Sequence, residues 1–112
     1  QRTRKAIQDL TGLDTHLYRP AFGVTNPNIS KAVNQSGLQV IGWSIRSLDT
    51  TYRSKKSVLR RITRRLKQGD IILLHDTSAK TVEVLEQLLL FLQNNKIRSV
   101  TVDRLLDIKA YA

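Results

Sequence analysis

One stretch constrains the fold of this chain more than any other: Gly69-Asp70-Ile71-Ile72-Leu73-Leu74-His75-Asp76-Thr77. Its aliphatic run is too short for a helix and too continuous for a strand with one wet face. It predicts a strand over Ile71 to Leu74 that is covered on both sides, as strands of parallel sheets are. Parallel neighbours are joined by crossovers, usually helical, so helices should flank the strand. Both flanks carry the pattern. Ser54 can cap a helix of about four turns ending before Gly69, with Val58, Ile62 and Leu66 along one side. From about Ser78 to Asn95 a longer helix is expected, with Val82, Leu85, Leu88, Leu89 and Leu92 as its inner stripe.

The rest of the chain continues the alternation. Residues 1 to 11 read as a helix with Ala6, Ile7 and Leu10 on one side and Gly12 at its C-terminal cap. His16 to Arg19 is extended, because Arg19 precedes Pro20. Asn28 to Ser36 is a short helix entered through Asn26-Pro27 and ended by Gly37, and Leu38 to Trp43 is a strand. Ile97 to Val102 is expected as a last strand, and Asp103 opens a short terminal helix. Strict alternation of this kind predicts an α/β fold of βα units on a parallel sheet.

The 112 residues suffice for one domain. There is no cysteine, so no disulfide staples the fold and no thiolate holds a metal. No apolar run approaches the ~18 to 20 residues of a membrane span. The first residue is Gln1, methionine is absent, and the first helix lacks a preceding cap, which together imply a piece of a longer chain. The net charge of +10 is concentrated in Arg53, Lys55, Lys56, Arg60, Arg61, Arg64, Arg65 and Lys67. A basic helix can track phosphates. Here the buried stripe of Val58, Ile62 and Leu66 and the lack of interleaved aromatics favour a solvated outer face over a nucleic-acid partner.

In parallel α/β folds, sites form at the carboxyl ends of the strands. Three polar clusters fall there: Arg19 and Pro20, Ser44 through Asp49, and His75 with Asp76. The apolar run before His75 would hold its ring rigidly. Asp76 alternates to the other face of an extended chain and is no direct partner for it. Asp49, in the loop beyond Trp43 on a neighbouring strand, is the candidate carboxylate for His75. A carboxylate bonded to imidazole favours the charged ring, which suits a general acid. Pro20 and Gly23 would shape a tight loop exposing backbone N–H groups, a possible oxyanion site.

The segments Tyr18-Arg19-Pro20-Ala21-Phe22-Gly23, Trp43-Ser44-Ile45-Arg46-Ser47-Leu48-Asp49-Thr50 and GDIILLHDT, in this order, resemble the last three motifs of the NodB-type polysaccharide deacetylases, carbohydrate esterase family 4. The resemblance covers essentially the whole chain. It implies about half of a distorted (β/α) barrel, the C-terminal part of a single deacetylase domain, and a zinc-dependent (or other divalent-metal) hydrolase removing acetyl groups from N-acetylated sugar polymers. It implies that His75 is the general acid, that Asp49 tunes it, and that Arg19 holds an aspartate base. Phe22 would supply an oxyanion N–H and a groove wall, Leu73 would line the acetyl pocket, and Trp43 would contact substrate. It also implies a cell-envelope or extracytoplasmic setting.

The chain departs from the family's pattern in several places. The Asp-Asp pair and the His-x-x-x-His motif that provide the base and the zinc ligands are not in the sequence, and neither His16 nor His75 matches a ligand position. The chain alone is therefore expected to be inactive and to bind no metal. Thr50 stands where many members have a groove Trp, and Arg46 where many have Asp. A partial barrel also leaves parallel edges unpaired, which implies a partner: the missing N-terminal half or another copy of the chain. The competing readings are a small basic module that binds nucleic acid or an anionic glycan, and an inactive deacetylase-like remnant.

Overall fold

A computed structural model describes residues 2–20 and 26–112. It divides into two compact units, one comprising residues up to Gly42 together with Leu106–Ala112, the other Trp43–Leu105.

In the first unit, helix α1 (Arg2–Thr11) ends at Gly12, whose φ of 74° lets its N–H return to the Gln8 carbonyl at 2.8 Å. The Arg4 guanidinium grips both carboxylate oxygens of Asp14, at 2.7 and 2.9 Å, and also bonds the Ser36 carbonyl. Strand β1 (Leu17–Tyr18) pairs in parallel with β2 (Gln39–Val40). The crossover between them is α2 (Pro27–Ser36), capped by Asn26, whose side chain accepts the Ile29 N–H, and closed by Gly37 at φ 69°. The C-terminal residues return to this unit, with Thr15 and Tyr111 forming an antiparallel bridge.

In the second unit, β3 (Ile45–Arg46) pairs in parallel with β4 (Ile72–Leu73), with Arg46 opposite Leu73. Helix α3 (Lys55–Thr63) begins at the predicted Ser54 cap, whose hydroxyl accepts the Ser57 N–H. Helix α4 (Ala79–Asn94) is capped by Ser78, and α5 (Val102–Leu106) follows. Val58 and Ile62 of α3, Val84, Leu88 and Leu92 of α4, and Ile45 of β3 form the core of this unit. The basic residues of α3 lie exposed beside that buried stripe, and Arg61 donates to the Arg46 carbonyl at 2.7 Å. Among the described residues no helix is long and apolar enough to cross a membrane.

The parallel pairing, the helical crossovers and most boundaries agree with the sequence reading. Helix α3 stops at Thr63, short of the expected end before Gly69. Three further features differ. The strand expected over Leu38 to Trp43 keeps ladder geometry only at Gln39–Val40, and a separate strand reopens at Ile45. Arg19 explains the break, because its guanidinium takes the carbonyls of Ile41 and Gly42, each at 3.1 Å. The sheet is consequently two separate two-stranded ladders.

The strand expected over Ile97 to Val102 is not formed. Lys96 adopts φ 56°, the Ile97 N–H closes the end of α4 on the Leu92 carbonyl, and Val102 already begins α5. A strand requires a ladder partner, and among the described residues β4 pairs only with β3.

The third difference is the rotation of α4. Thr81, Val84, Leu88 and Leu92 face inward, whereas Val82, Leu85 and Leu89 of the expected stripe are exposed. Leu85 and Leu89 instead line an open groove of about 600 Å³ with Leu66, Ile97, Val100 and Leu105. Leu88 and Leu92 of the expected stripe are buried, and the rest of the inner face is Thr81 and Val84, on the side where Thr81 makes a buried polar contact.

Two valines two positions apart test that rotation. Val84 is 1% exposed and Val82 65%. Val84→Ala should cost about 2 kcal/mol in denaturant unfolding. Val82→Ala should stay within about 0.5 kcal/mol of wild type. The reverse order would restore the stripe expected from the sequence.

Candidate active site: a buried aspartate holding a histidine

Because β3 and β4 run parallel with Arg46 opposite Leu73, the segments that follow them leave the ladder side by side. One carries Ser47 and Asp49, the other His75. The Ser47 hydroxyl, fully buried, donates to the Leu73 carbonyl at 2.7 Å and receives the Asp49 N–H at 3.3 Å. Leu48 between them sits at φ 60°, an unusual conformation for a branched side chain, and it turns Asp49 back toward β4.

The Asp49 carboxylate is 1% exposed and accepts three hydrogen bonds. Oδ2 takes the backbone N–H of His75 at 2.7 Å and the Thr81 hydroxyl at 2.8 Å. Oδ1 lies 2.8 Å from Nδ1 of His75. Burial pushes the carboxyl's pKa up, but the His75 ring, the His75 N–H and the Thr81 hydroxyl together outweigh it and hold Asp49 below the ordinary carboxylate range. An ionised Asp49 accepts only, so the shared proton resides on Nδ1 of His75. That assigns the ring: Nδ1–H faces Asp49, and Nε2 is the nitrogen left to exchange a proton. The His75 side chain is 44% exposed, so a proton on Nε2 can be passed outward while the Asp49 side stays dry.

Of the residues singled out from sequence, Asp49 and His75 are brought together, and Asp76 is exposed and takes no part. Leu73 is buried in β4 and joins through its carbonyl. Trp43 is half-buried at the start of the second unit. Arg19 belongs to the first unit, where it bonds the Ile41 and Gly42 carbonyls. Phe22 lies outside the described residues.

Two members of the network were given no role from sequence: Ser47, which lay inside the Ser44 through Asp49 cluster, and Thr81. Thr81 left a trace, as a polar residue three after the Ser78 cap, where a helical stripe shifted by one residue would bury it. Ser47 left no distinguishing signal.

Among the described residues, no three His, Cys, Asp or Glu side chains gather to hold a metal ion. Asp49 already has all three of its contacts satisfied within the protein. These residues do not by themselves fit a catalytic zinc centre, which takes three protein ligands.

No protein-family model matches the sequence. The peptidoglycan-N-acetylglucosamine deacetylase PgdA of Listeria monocytogenes is 31% identical over 104 residues, covering 93% of this chain and 22% of PgdA. Among solved structures, the family 4 carbohydrate esterase of Streptomyces lividans superposes with a TM-score of 0.80 at 28% identity, over 90% of this chain and 52% of that one. BA3943, a pseudoenzyme of the same family from Bacillus anthracis, superposes at 0.86 with 23% identity, over 98% of this chain and 39% of that one. The chain thus spans about a fifth of its Listeria relative and about half of the Streptomyces structure.

Sequence and fold together place the chain with part of the family 4 carbohydrate esterases. The chain belongs to the NodB-type polysaccharide deacetylases, carbohydrate esterase family 4.

The carboxylate's environment predicts a pH-dependent cost of removing its charge. Asp49→Asn leaves one oxygen to face three donors and turns an NH₂ toward one of them. It should lose about 2 to 3 kcal/mol of stability at neutral pH. Because the folded pKa is depressed, the stabilisation is complete above about pH 4 and fades as pH falls through the lower folded value. Denaturant unfolding from pH 7 to pH 3 should therefore show the gap between wild type and variant closing in acid. A gap of constant size would contradict an ionised, hydrogen-bonded Asp49.

Proposed function

We propose that this chain is part of a polysaccharide deacetylase that hydrolyses the N-acetyl groups of an amino-sugar polymer, with His75 as its proton donor. The observation that carries the reading is the geometry of His75: Nδ1–H anchored on a buried carboxylate, in a side chain that is 44% exposed, with Nε2 the nitrogen not engaged by Asp49. Hydrolysis of an acetamide adds water to the carbonyl carbon, breaks the C–N bond and releases acetate and an amine. The amine is a poor leaving group unless its nitrogen gains a proton as the bond breaks. Nε2–H of a protonated His75 supplies that proton, and Asp49 stabilises the imidazolium before transfer and fixes the ring throughout.

Arg19, Phe22, Leu73 and Trp43 keep the roles their motif positions imply: support of a carboxylate base, an oxyanion N–H, the acetyl pocket and the glycan groove. The amino-sugar substrate is favoured by the name of the Listeria relative, which acts on N-acetylglucosamine in peptidoglycan. The reading includes a divalent metal, zinc in the first instance, held by residues other than those described.

The test is acetate release from an N-acetylglucosamine oligomer by the protein that carries this chain, with zinc supplied and then removed by chelator. Activity should require the metal. His75→Gln should lower kcat by about 10²- to 10⁴-fold with little change in KM. Undiminished turnover by that variant would remove His75 from the mechanism.

A further inference from the structure

Thr81 is a buried hydroxyl on a helix, and burying a hydroxyl is unfavourable unless it is bonded. A valine of the same shape would fill the position against the same neighbours without that cost. Nor does the hydroxyl serve its own helix. The N-terminus of α4 is capped by Ser78, whose Oγ receives the Thr81 N–H at 3.4 Å. A helical threonine commonly turns its hydroxyl back onto a carbonyl one turn earlier. Thr81 instead reaches across to Oδ2 of Asp49 at 2.8 Å.

That contact has a geometric consequence. A carboxylate turns readily about its Cβ–Cγ bond, a broad torsion with no strong staggered minima. The His75 N–H anchors Oδ2 and its ring faces Oδ1, but both contacts come from one residue and one element, so carboxylate and ring can shift together. Thr81 bonds the same oxygen from a different element, α4. Two donors from two directions fix the carboxylate plane, which directs Oδ1 at the His75 ring. The first turn of α4 also brings the positive end of a 16-residue helix toward the carboxylate, which favours its charged form.

We propose that Thr81 is a positioning residue for the proton donor: its hydroxyl holds the Asp49 carboxylate in the orientation that accepts Nδ1–H of His75 and so leaves Nε2 as the exchanging nitrogen. The inference rests on reading His75 as the donor, and it extends the machinery by one residue on α4.

The test is ¹⁵N NMR of the His75 ring in wild type, Thr81→Val and Thr81→Ser, at a pH where the ring is neutral. Wild type and Thr81→Ser should show the Nδ1–H tautomer and a slowly exchanging low-field Nδ1 proton. Thr81→Val should lose that proton resonance and shift toward the Nε2–H tautomer. Retention of the wild-type ring signals in a folded Thr81→Val protein would overturn the proposal. So would their loss in a folded Thr81→Ser protein, which keeps the donor. That second criterion stands even if the amide spectrum shows Thr81→Val to be unfolded.

The ring signals do not depend on turnover. An inactive protein with the expected tautomers would count against the deacetylase reading alone. An active one with unchanged tautomers would count against Thr81 alone. In an active protein, Thr81→Val should also lower kcat at least tenfold at constant KM, and Thr81→Ser should restore it.

Discussion

The second unit is organised around one buried negative charge. An isolated carboxylate in a protein interior is unstable and would take up a proton or draw in water. Asp49 avoids both because three donors converge on it: the backbone of His75, its ring and the hydroxyl of Thr81. These contacts come from the loop after β3, the end of β4 and the first turn of α4. Satisfying the charge therefore fixes the register of the loops, the pose of the imidazole and the rotation of the longest helix. The apolar contacts of Val58, Ile62, Val84 and Leu88 add bulk stabilisation. They do not by themselves choose among rotations of α4, since Leu85 and Leu89 offer a comparable apolar face.

This explains which parts of the structure were legible in the sequence. Caps and turns are local chemistry, and Asn26, Gly37, Ser54 and Ser78 mark helix ends as their residue types suggest. Parallel pairing followed from the double-faced run Ile71 to Leu74, and the partnership of Asp49 with His75 followed from parallel strands placing their following loops together. Features set by long-range polar contacts were not legible. Thr81 turns α4 away from the stripe of Val82, Leu85 and Leu89, and Arg19 ends β2 by capturing the carbonyls of Ile41 and Gly42. Ile97 to Val102 has strand composition, but composition cannot supply a ladder partner.

The separation of fold from activity matters in this family. BA3943, described as a pseudoenzyme, has the same fold over 98% of this chain. Fold alone therefore does not carry activity here, and what the described residues bring together is His75 on a buried, ionised Asp49 supported by Thr81. The strong positive charge belongs to a different part of the molecule. It lies on the exposed side of α3, opposite the buried Val58 and Ile62.

The claim on which the account turns is that Asp49 remains ionised despite its burial. The most direct measurement follows the Asp49 carboxyl carbon by ¹³C NMR as a function of pH. The account predicts that its resonance stays at the ionised position down through the ordinary carboxylate range and moves only below about pH 4, or with unfolding. A titration step above that range, as burial alone would produce, would mean that the three donors do not hold the charge, and the assignment of the His75 ring would fall with it.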